Sequence, residues 1–289
     1  MTLKEKIQDK KFIITSEIGP PKGIDLTGVF SELNFLNQKV DAINITESQS
    51  SVMRLGSLAV SIALKQKGYE PIYQLICRDR NRIALQSDIL SAALFGIENI
   101  LVLTGDHPKL GDHPSAKPVF DVDSVQLLNI VKTLEKGVDM EGNKLEGPAP
   151  KFCIGAVVNP FCDPIEPEII KMEKKIACGA QFFQTQGIFD LRRFEVFMKK
   201  ISHIKTIILG GIILIKSSKM ADYMNKNIPG IFVPEELIKR MNQAKDKHAE
   251  CVRIASETIQ QIRSMVAGIH IMPLGWSRFI PEILAKSEL

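Results

Sequence analysis

Glu17 ends an apolar run, Lys11-Phe12-Ile13-Ile14-Thr15-Ser16-Glu17, and is followed at once by Ile18-Gly19-Pro20-Pro21. It lies two residues after Thr15, and the double proline stiffens the backbone that leaves the run. A carboxyl held among apolar neighbours resists ionisation and can act as a general acid near neutral pH. It can equally be a structural carboxylate, paired with a lysine or capping a helix. Similar polar residues recur where other apolar runs end. The second run closes on Asn44, Thr46 and Glu47, then Ser48-Gln49-Ser50-Ser51. The third carries Gln74 and ends at Arg78-Asp79, and the fourth ends in Thr104-Gly105-Asp106-His107-Pro108. The fifth ends at Asn159-Pro160, the sixth in Gln184-Thr185-Gln186, and the seventh runs into Gly210-Gly211. Gly105 permits close approach of a ligand to the backbone. Asp106 could cap a helix or orient a polar ring. The amide of Gln186 pairs a donor with an acceptor, which suits the edge of a heterocycle, or else bonds loop backbone.

These positions need a scaffold that brings run ends together. Eight strand-like runs span about 12–18, 41–46, 71–77, 99–104, 152–158, 181–185, 205–211 and 268–272. Most are apolar on both faces, as buried parallel strands are. Amphipathic windows at Leu55 to Lys67, Arg82 to Phe95 and Ile165 to Gly179 alternate with them, and Gly68, Gly96 and Gly179 are placed as helix stops. The pattern predicts one (β/α)8 TIM barrel domain over 1–289, an α/β fold with extra helices before the last strand; an open doubly wound sheet is the alternative. In such a barrel the C-terminal strand ends form the active site, so strands apolar in the middle and polar at their exits point to an enzyme. A Gly/Pro/His/Asp-rich loop is expected at 105–121, a hairpin or excursion at 136–150, and two or more helices across 217–264.

The 289 residues are 45% hydrophobic and 24% charged, ordinary for a globular protein with a large core. The net charge of +4 is spread rather than clustered, which gives no nucleic-acid footprint. No apolar run approaches the ~20 residues of a membrane helix. There is no apolar signal segment, and five widely spaced cysteines lack a Cys-x-x-Cys pair, so reduced thiols and a cytoplasmic location are expected. Cys77, Cys153 and Cys178 read as core residues. The repeat Gly-Asp-His-Pro at 105–108 and 111–114 raises the question of metal, but proline follows each histidine and no third cluster is present, so no metal site is assigned. Trp276 and His270 read as packed rather than catalytic. There is no Gly-x-Gly-x-x-Gly after the first strand and no Walker lysine, so a dinucleotide would not be held in the Rossmann manner.

Taken in order, Glu17-x-x-Pro20-Pro21-Lys22-Gly23, Asn44-Ile45-Thr46, Gln74-Leu75-Ile76-Cys77, Leu103-Thr104-Gly105-Asp106, Asn159-Pro160, Lys175 with Gly179-Ala180, and Gln184-Thr185-Gln186-x-x-Phe189-Asp190 resemble the methylenetetrahydrofolate reductase family over about residues 10–275. The resemblance implies a flavoprotein that reduces 5,10-methylenetetrahydrofolate to 5-methyltetrahydrofolate by hydride transfer from reduced flavin. It implies Glu17 as general acid and Asp106 as the carboxylate near flavin and pterin, with Glu17, Asp106 and Gln186 on the folate. It places Thr46, Gln74, Thr104, Gly105, Asp106, Asn159, Glu168 and Lys175 around the cofactor, with Lys175 against a flavin phosphate. Several positions depart from the family pattern: Ile18-Gly19 for Phe-Phe, Gln74 and Thr104 for histidine and arginine, Asn159 for tyrosine, and Lys216-Ser217-Ser218 where an aromatic is common. The cofactor expectation is therefore FAD, with FMN as the alternative. The departures resemble short reductases of anaerobic bacteria, so the electron donor is NAD(P)H or a small iron–sulfur or zinc-binding partner subunit. The long regulatory domain of eukaryotic relatives does not appear in this sequence, and S-adenosylmethionine control is not expected. Association through the outer helices is expected, although no apolar stripe marks the face. Two other readings stand beside the reductase: a flavin-free pterin-binding methyltransferase barrel, and a non-catalytic subunit of a redox complex.

Overall fold

The computed structural model describes residues 1–228 and 230–289. Eight parallel strands close into a barrel in sequence order. They are β1 (Ile13–Ile18), β2 (Ala42–Ile45), β3 (Pro71–Ile76), β4 (Asn99–Leu103), β5 (Cys153–Val158), β6 (Phe182–Gly187), β7 (Ile207–Ile213) and β8 (Gly268–Met272). β8 pairs with β1, Thr15 opposite His270, which completes the ring. The helices are α1 (Leu3–Gln8), α2 (Thr27–Leu36), α3 (Ser57–Gln66), α4 (Arg82–Leu94), α5 (Ser124–Leu134), α6 (Glu166–Ala177), α7 (Leu191–Lys200), α8 (Ser218–Asn227), α9 (Glu235–Gln243), α10 (Lys247–Ile262) and α11 (Ile280–Lys286). The closed barrel, the excursion at 136–150 (an antiparallel bridge between Val138 and Lys144) and the helices at 217–264 follow the sequence expectation. Gly68, Gly96 and Gly179 take φ of +81°, +73° and +104°, the left-handed turn that ends a helix cheaply only at glycine.

Alternation along each strand sends one set of side chains outward and the other into the barrel. Outward residues such as Ile43, Tyr73, Val102, Ile154 and Phe183 join the main core beneath the helices. Inward residues at the N-terminal end, Ile13, Ala42, Ile72, Leu101, Cys153, Phe182 and Leu209, form an apolar plug with Leu3 of α1. Phe182 fills the space that Gly155 leaves, since a Cβ on Gly155 would lie 2.3 Å from the ring. A smaller core under α8, α9 and α10 includes Ile215, Met224, Val233 and Ile254. The plug closes one end of the barrel, so the other end is the place where polar side chains can meet a ligand.

Two strand ends differ from the sequence expectation. β6 and β7 each run two residues further, and Gly210-Gly211 lie inside β7 rather than at its exit. The register between β6 and β7 shifts between Gln184 and Gly187. Gly211 is needed there because a Cβ would sit 2.5 Å from the Thr185 carbonyl oxygen. Cys178 is half-buried rather than core, and Cys251, not singled out by the sequence pattern, is buried.

Candidate active site

A cavity of about 450 Å³ opens at the C-terminal end of the barrel. All but one of the strands contribute: Glu17 from β1, Gln74 from β3, Leu101 from β4, Val157 from β5, Gln184 from β6 and His270 from β8 lie on strands, and Thr46 lies one residue beyond β2. Its floor is polar. Asn44 and Gln184 exchange amide hydrogen bonds of 2.7 and 3.2 Å across the barrel, and Gln184 Nε2 reaches Thr15 Oγ1 at 3.5 Å. All of these side chains are buried, and buried amides persist only when paired in this way. Glu17 is 7% exposed, and its Oε2 lies 3.6 Å from His270 Nε2.

The walls carry charge of both signs. α6 presents Glu168, Lys171 and Lys175 to the cavity, three and four residues apart and therefore on one face. Glu168 Oε1 accepts from the backbone N–H of Asn159 at 3.0 Å, which fixes the β5 exit. Lys175 is 3% exposed, and its Nζ donates to the Val157 carbonyl at 2.5 Å. Burial pulls this ammonium down to about 8, with Glu168 acting in the opposite direction. An ammonium so placed is short of counter-charge, as a site for an anionic ligand group requires. Thr46 Oγ1 is buried and has no hydrogen-bond partner, although it borders the cavity. Such an orphan costs free energy unless a ligand or water meets it.

Three loops are tied together above this floor. Arg78, at the β3 exit, is 3% exposed and donates from Nη1 to Ser51 Oγ (2.7 Å) and to the Asp106 carbonyl (3.2 Å). Ser51 Oγ itself donates to the Asp106 carbonyl at 2.8 Å. Gly105 turns the chain into this clamp with φ +91°, and a Cβ there would lie 3.1 Å from Arg78 Cβ. Further out, Asp112 accepts from the Met53 N–H at 2.9 Å and pairs with Lys22, so it joins the loops after β1, β2 and β4. These bonds, with that to His113, hold the Asp112 carboxyl well below the usual carboxylate range. His107 and His113 of the repeated Gly-Asp-His-Pro segments serve this loop: His107 Nδ1 accepts from the Lys109 N–H at 3.2 Å, and His113 Nδ1 lies 2.9 Å from Asp112.

The sequence pattern of methylenetetrahydrofolate reductase matches residues 2–288. The chain belongs to the methylenetetrahydrofolate reductase family. It is 24% identical over 315 aligned positions to methylenetetrahydrofolate reductase 2 of Schizosaccharomyces pombe, covering 99% of this chain and 47% of that protein. The chain thus spans about half the length of that curated relative. Among solved structures it resembles a Clostridium thermocellum protein described as binding two copies of 5-methyl-5,6,7,8-tetrahydrofolic acid, with a TM-score of 0.63, 15% identity, and coverage of 99% of this chain and 98% of that one. It also resembles 2,3-dimethylmalate lyase, of the PEP mutase/isocitrate lyase superfamily, at a TM-score of 0.54 and 12% identity, covering 99% of this chain and 84% of that one. At such identities the likeness is one of fold.

Every residue the family resemblance singles out, Glu17, Thr46, Gln74, Thr104, Gly105, Asp106, Asn159, Glu168, Lys175 and Gln186, borders this one cavity. Glu17 is buried at its floor and Thr46, Gln74 and Lys175 in its walls, whereas Asp106 stands exposed at the rim. Gln186 Oε1 accepts from the Gly187 N–H at 3.0 Å, which leaves the NH2 end of its amide for a ligand. The cavity is also lined by residues that the sequence pattern did not assign to the site, among them Lys171, Arg78 and His270. Lys171 could have been found from its spacing to Glu168 and Lys175 on α6. Arg78 was visible at a strand exit. His270 was read as packed; it is indeed buried, 3% exposed, but beside Glu17. Only the closure of β8 against β1 brings the two together.

Proposed function

We propose that this protein is a flavin-dependent reductase of 5,10-methylenetetrahydrofolate, with Glu17 as the general acid. The observation that carries the reading is the buried Glu17 at the floor of a cavity whose walls hold a buried, anion-seeking Lys175 and an unpartnered Thr46 hydroxyl. Family membership and the folate bound by the Clostridium thermocellum protein support folate as substrate. A bound flavin, FAD or FMN, would supply two-electron hydride chemistry. Thr46, Gln74, Asn159 and Lys175 would hold it, Lys175 against a phosphate. Glu17 donates its proton to a bridging nitrogen of the folate, which opens the five-membered ring and leaves an electron-poor carbon. Asp106 places a negative charge at the rim, where it disfavours build-up of further negative charge beside it. Gln186 offers an amide edge to the pterin. NAD(P)H or an electron-delivering partner subunit would provide the reducing equivalents.

The test uses chemical reduction so that no electron donor has to be known. Protein loaded with flavin and reduced by dithionite is mixed with 5,10-methylenetetrahydrofolate, and flavin reoxidation is followed. E17Q should still be reduced by dithionite but lose reoxidation by folate by 10²-fold or more. Full folate activity in E17Q removes the acid role. Failure to bind either flavin, with folate still bound, favours the methyltransferase reading.

A further inference from the structure

His270 sits in the middle of β8, its ring buried inside the barrel, with a defined partner on each nitrogen. Nδ1 lies 3.0 Å from Thr15 Oγ1. The Thr15 hydroxyl is also 3.3 Å from the Ile269 carbonyl oxygen, which can only accept. Thr15 has one proton to donate, so giving it to the carbonyl makes Nδ1–H the donor to Thr15. The Gln184 NH2, held by its reciprocal pair with Asn44, points at the same Thr15 oxygen from 3.5 Å. That leaves Nε2 as the ring nitrogen able to exchange a proton, and it faces Glu17 Oε2 at 3.6 Å. The separation exceeds a hydrogen bond by a few tenths of an ångström, a gap that apo sites commonly close when substrate binds. The neighbours on β1 and β6 at this level, Thr15 and Gln184, are uncharged. The other charged groups of the cavity, Glu47, Arg78, Asp106, Glu168, Lys171 and Lys175, come from the loops and from α6. Glu47 is bonded to Ser57 and Arg80, and Arg78 to Asp79, so both are already paired.

We propose that His270 is a positioning residue for the acidic proton of Glu17, held in register by Thr15. This rests on the reading of Glu17 as the acid. The pair shares one exchangeable proton between Oε2 and Nε2. When Glu17 passes it to the folate nitrogen, the carboxylate is left facing a neutral imidazole. The next proton comes from water at the barrel mouth, and no electron moves in the exchange.

The experiment has a spectroscopic arm and a kinetic arm, both on the full chain. The imidazole nitrogens of the ligand-free protein are observed by NMR after 15N-histidine labelling in wild type, H270Q, E17Q and T15V. H270Q identifies the His270 signal among the five histidines. The expected result is a neutral ring in the Nδ1–H tautomer, an Nε2 resonance that moves in E17Q, and an Nδ1 resonance that moves in T15V. In the kinetic arm, H270Q slows folate reoxidation of the reduced flavin by about 10-fold or more and slows dithionite reduction far less. H270N, too short to reach Glu17, is no faster. An Nε2 resonance indifferent to E17Q, or a wild-type folate rate in H270Q beside a slow E17Q, overturns the proposal and leaves the reductase reading standing. A wild-type folate rate in E17Q removes the acid reading, and this proposal with it.

Discussion

Replacing Lys175 with methionine should make the ligand-free protein more stable at neutral pH, although it deletes a hydrogen bond. Burial lowers the Lys175 ammonium from its ordinary 10.5 to about 8. That difference corresponds to roughly 3 kcal/mol of unfavourable free energy for carrying the charge in the folded state. Loss of the bond from Nζ to the Val157 carbonyl offsets about 1 kcal/mol of the relief. Methionine fills a similar volume, so K175M should gain roughly 1–2 kcal/mol at pH 7. For 289 residues this raises the melting temperature by roughly 2 °C per kcal/mol. The pH dependence gives the sharper test. Below about 8 the lysine is charged in both folded and unfolded chains, and the full penalty is present. Between about 8 and 10.5 the folded protein loses the proton first, so wild-type stability rises relative to K175M. Urea melts of both ligand-free proteins at pH 7 and pH 10 measure this directly. An advantage of K175M at pH 7 that shrinks or reverses by pH 10 is expected. A destabilised K175M, with a deficit independent of pH, would refute the view of Lys175 as a buried charge awaiting an anion. The same variant should bind flavin at least ~10-fold more weakly, since the phosphate loses its counter-charge.

Other outcomes follow from the same geometry. T46V should leave ligand-free stability unchanged or raise it by about 1 kcal/mol, because the hydroxyl it removes is buried without a partner; flavin affinity, by fluorescence titration, should fall. G211A should lower stability by about 2 kcal/mol or more in urea melts, because its Cβ would press on the Thr185 carbonyl and prise β6 from β7. G105A forces a side chain into φ +91° against Arg78; it should cost about 1–2 kcal/mol and raise the KM for folate through displacement of Asp106. D112A cuts the link between the loops after β1, β2 and β4, so hydrogen exchange should quicken in 105–121 while the barrel strands keep their protection.

Much of this architecture is legible in the amino-acid sequence, because parallel strands buried on both faces leave a strong apolar signature. Glu17, Gln74, Asp106 and Gln186 were legible for a related reason: a polar residue ending an apolar run in a barrel has few places to go but the mouth. The ends of β6 and β7 were not legible. Gly210-Gly211 look like a strand exit, yet glycine there answers to the Thr185 backbone across a register shift, a tertiary demand with no local mark. His270 was read as packed, and it is buried; its place beside Glu17 was not legible, because its segment, Gly-Ile-His-Ile-Met, has the alternation of any strand. Its meaning depends on Thr15 and Glu17, more than 250 residues earlier in the chain. The Asp112 link between three loops is likewise a property of the closed ring.

The most direct test of the central reading is to mix the flavin-loaded protein with 5-methyltetrahydrofolate under anaerobic conditions and follow the visible flavin absorbance. The reductase account predicts that the bound flavin bleaches in wild type and stays coloured in E17Q. A flavin that remains oxidised in the wild type with 5-methyltetrahydrofolate bound would contradict it.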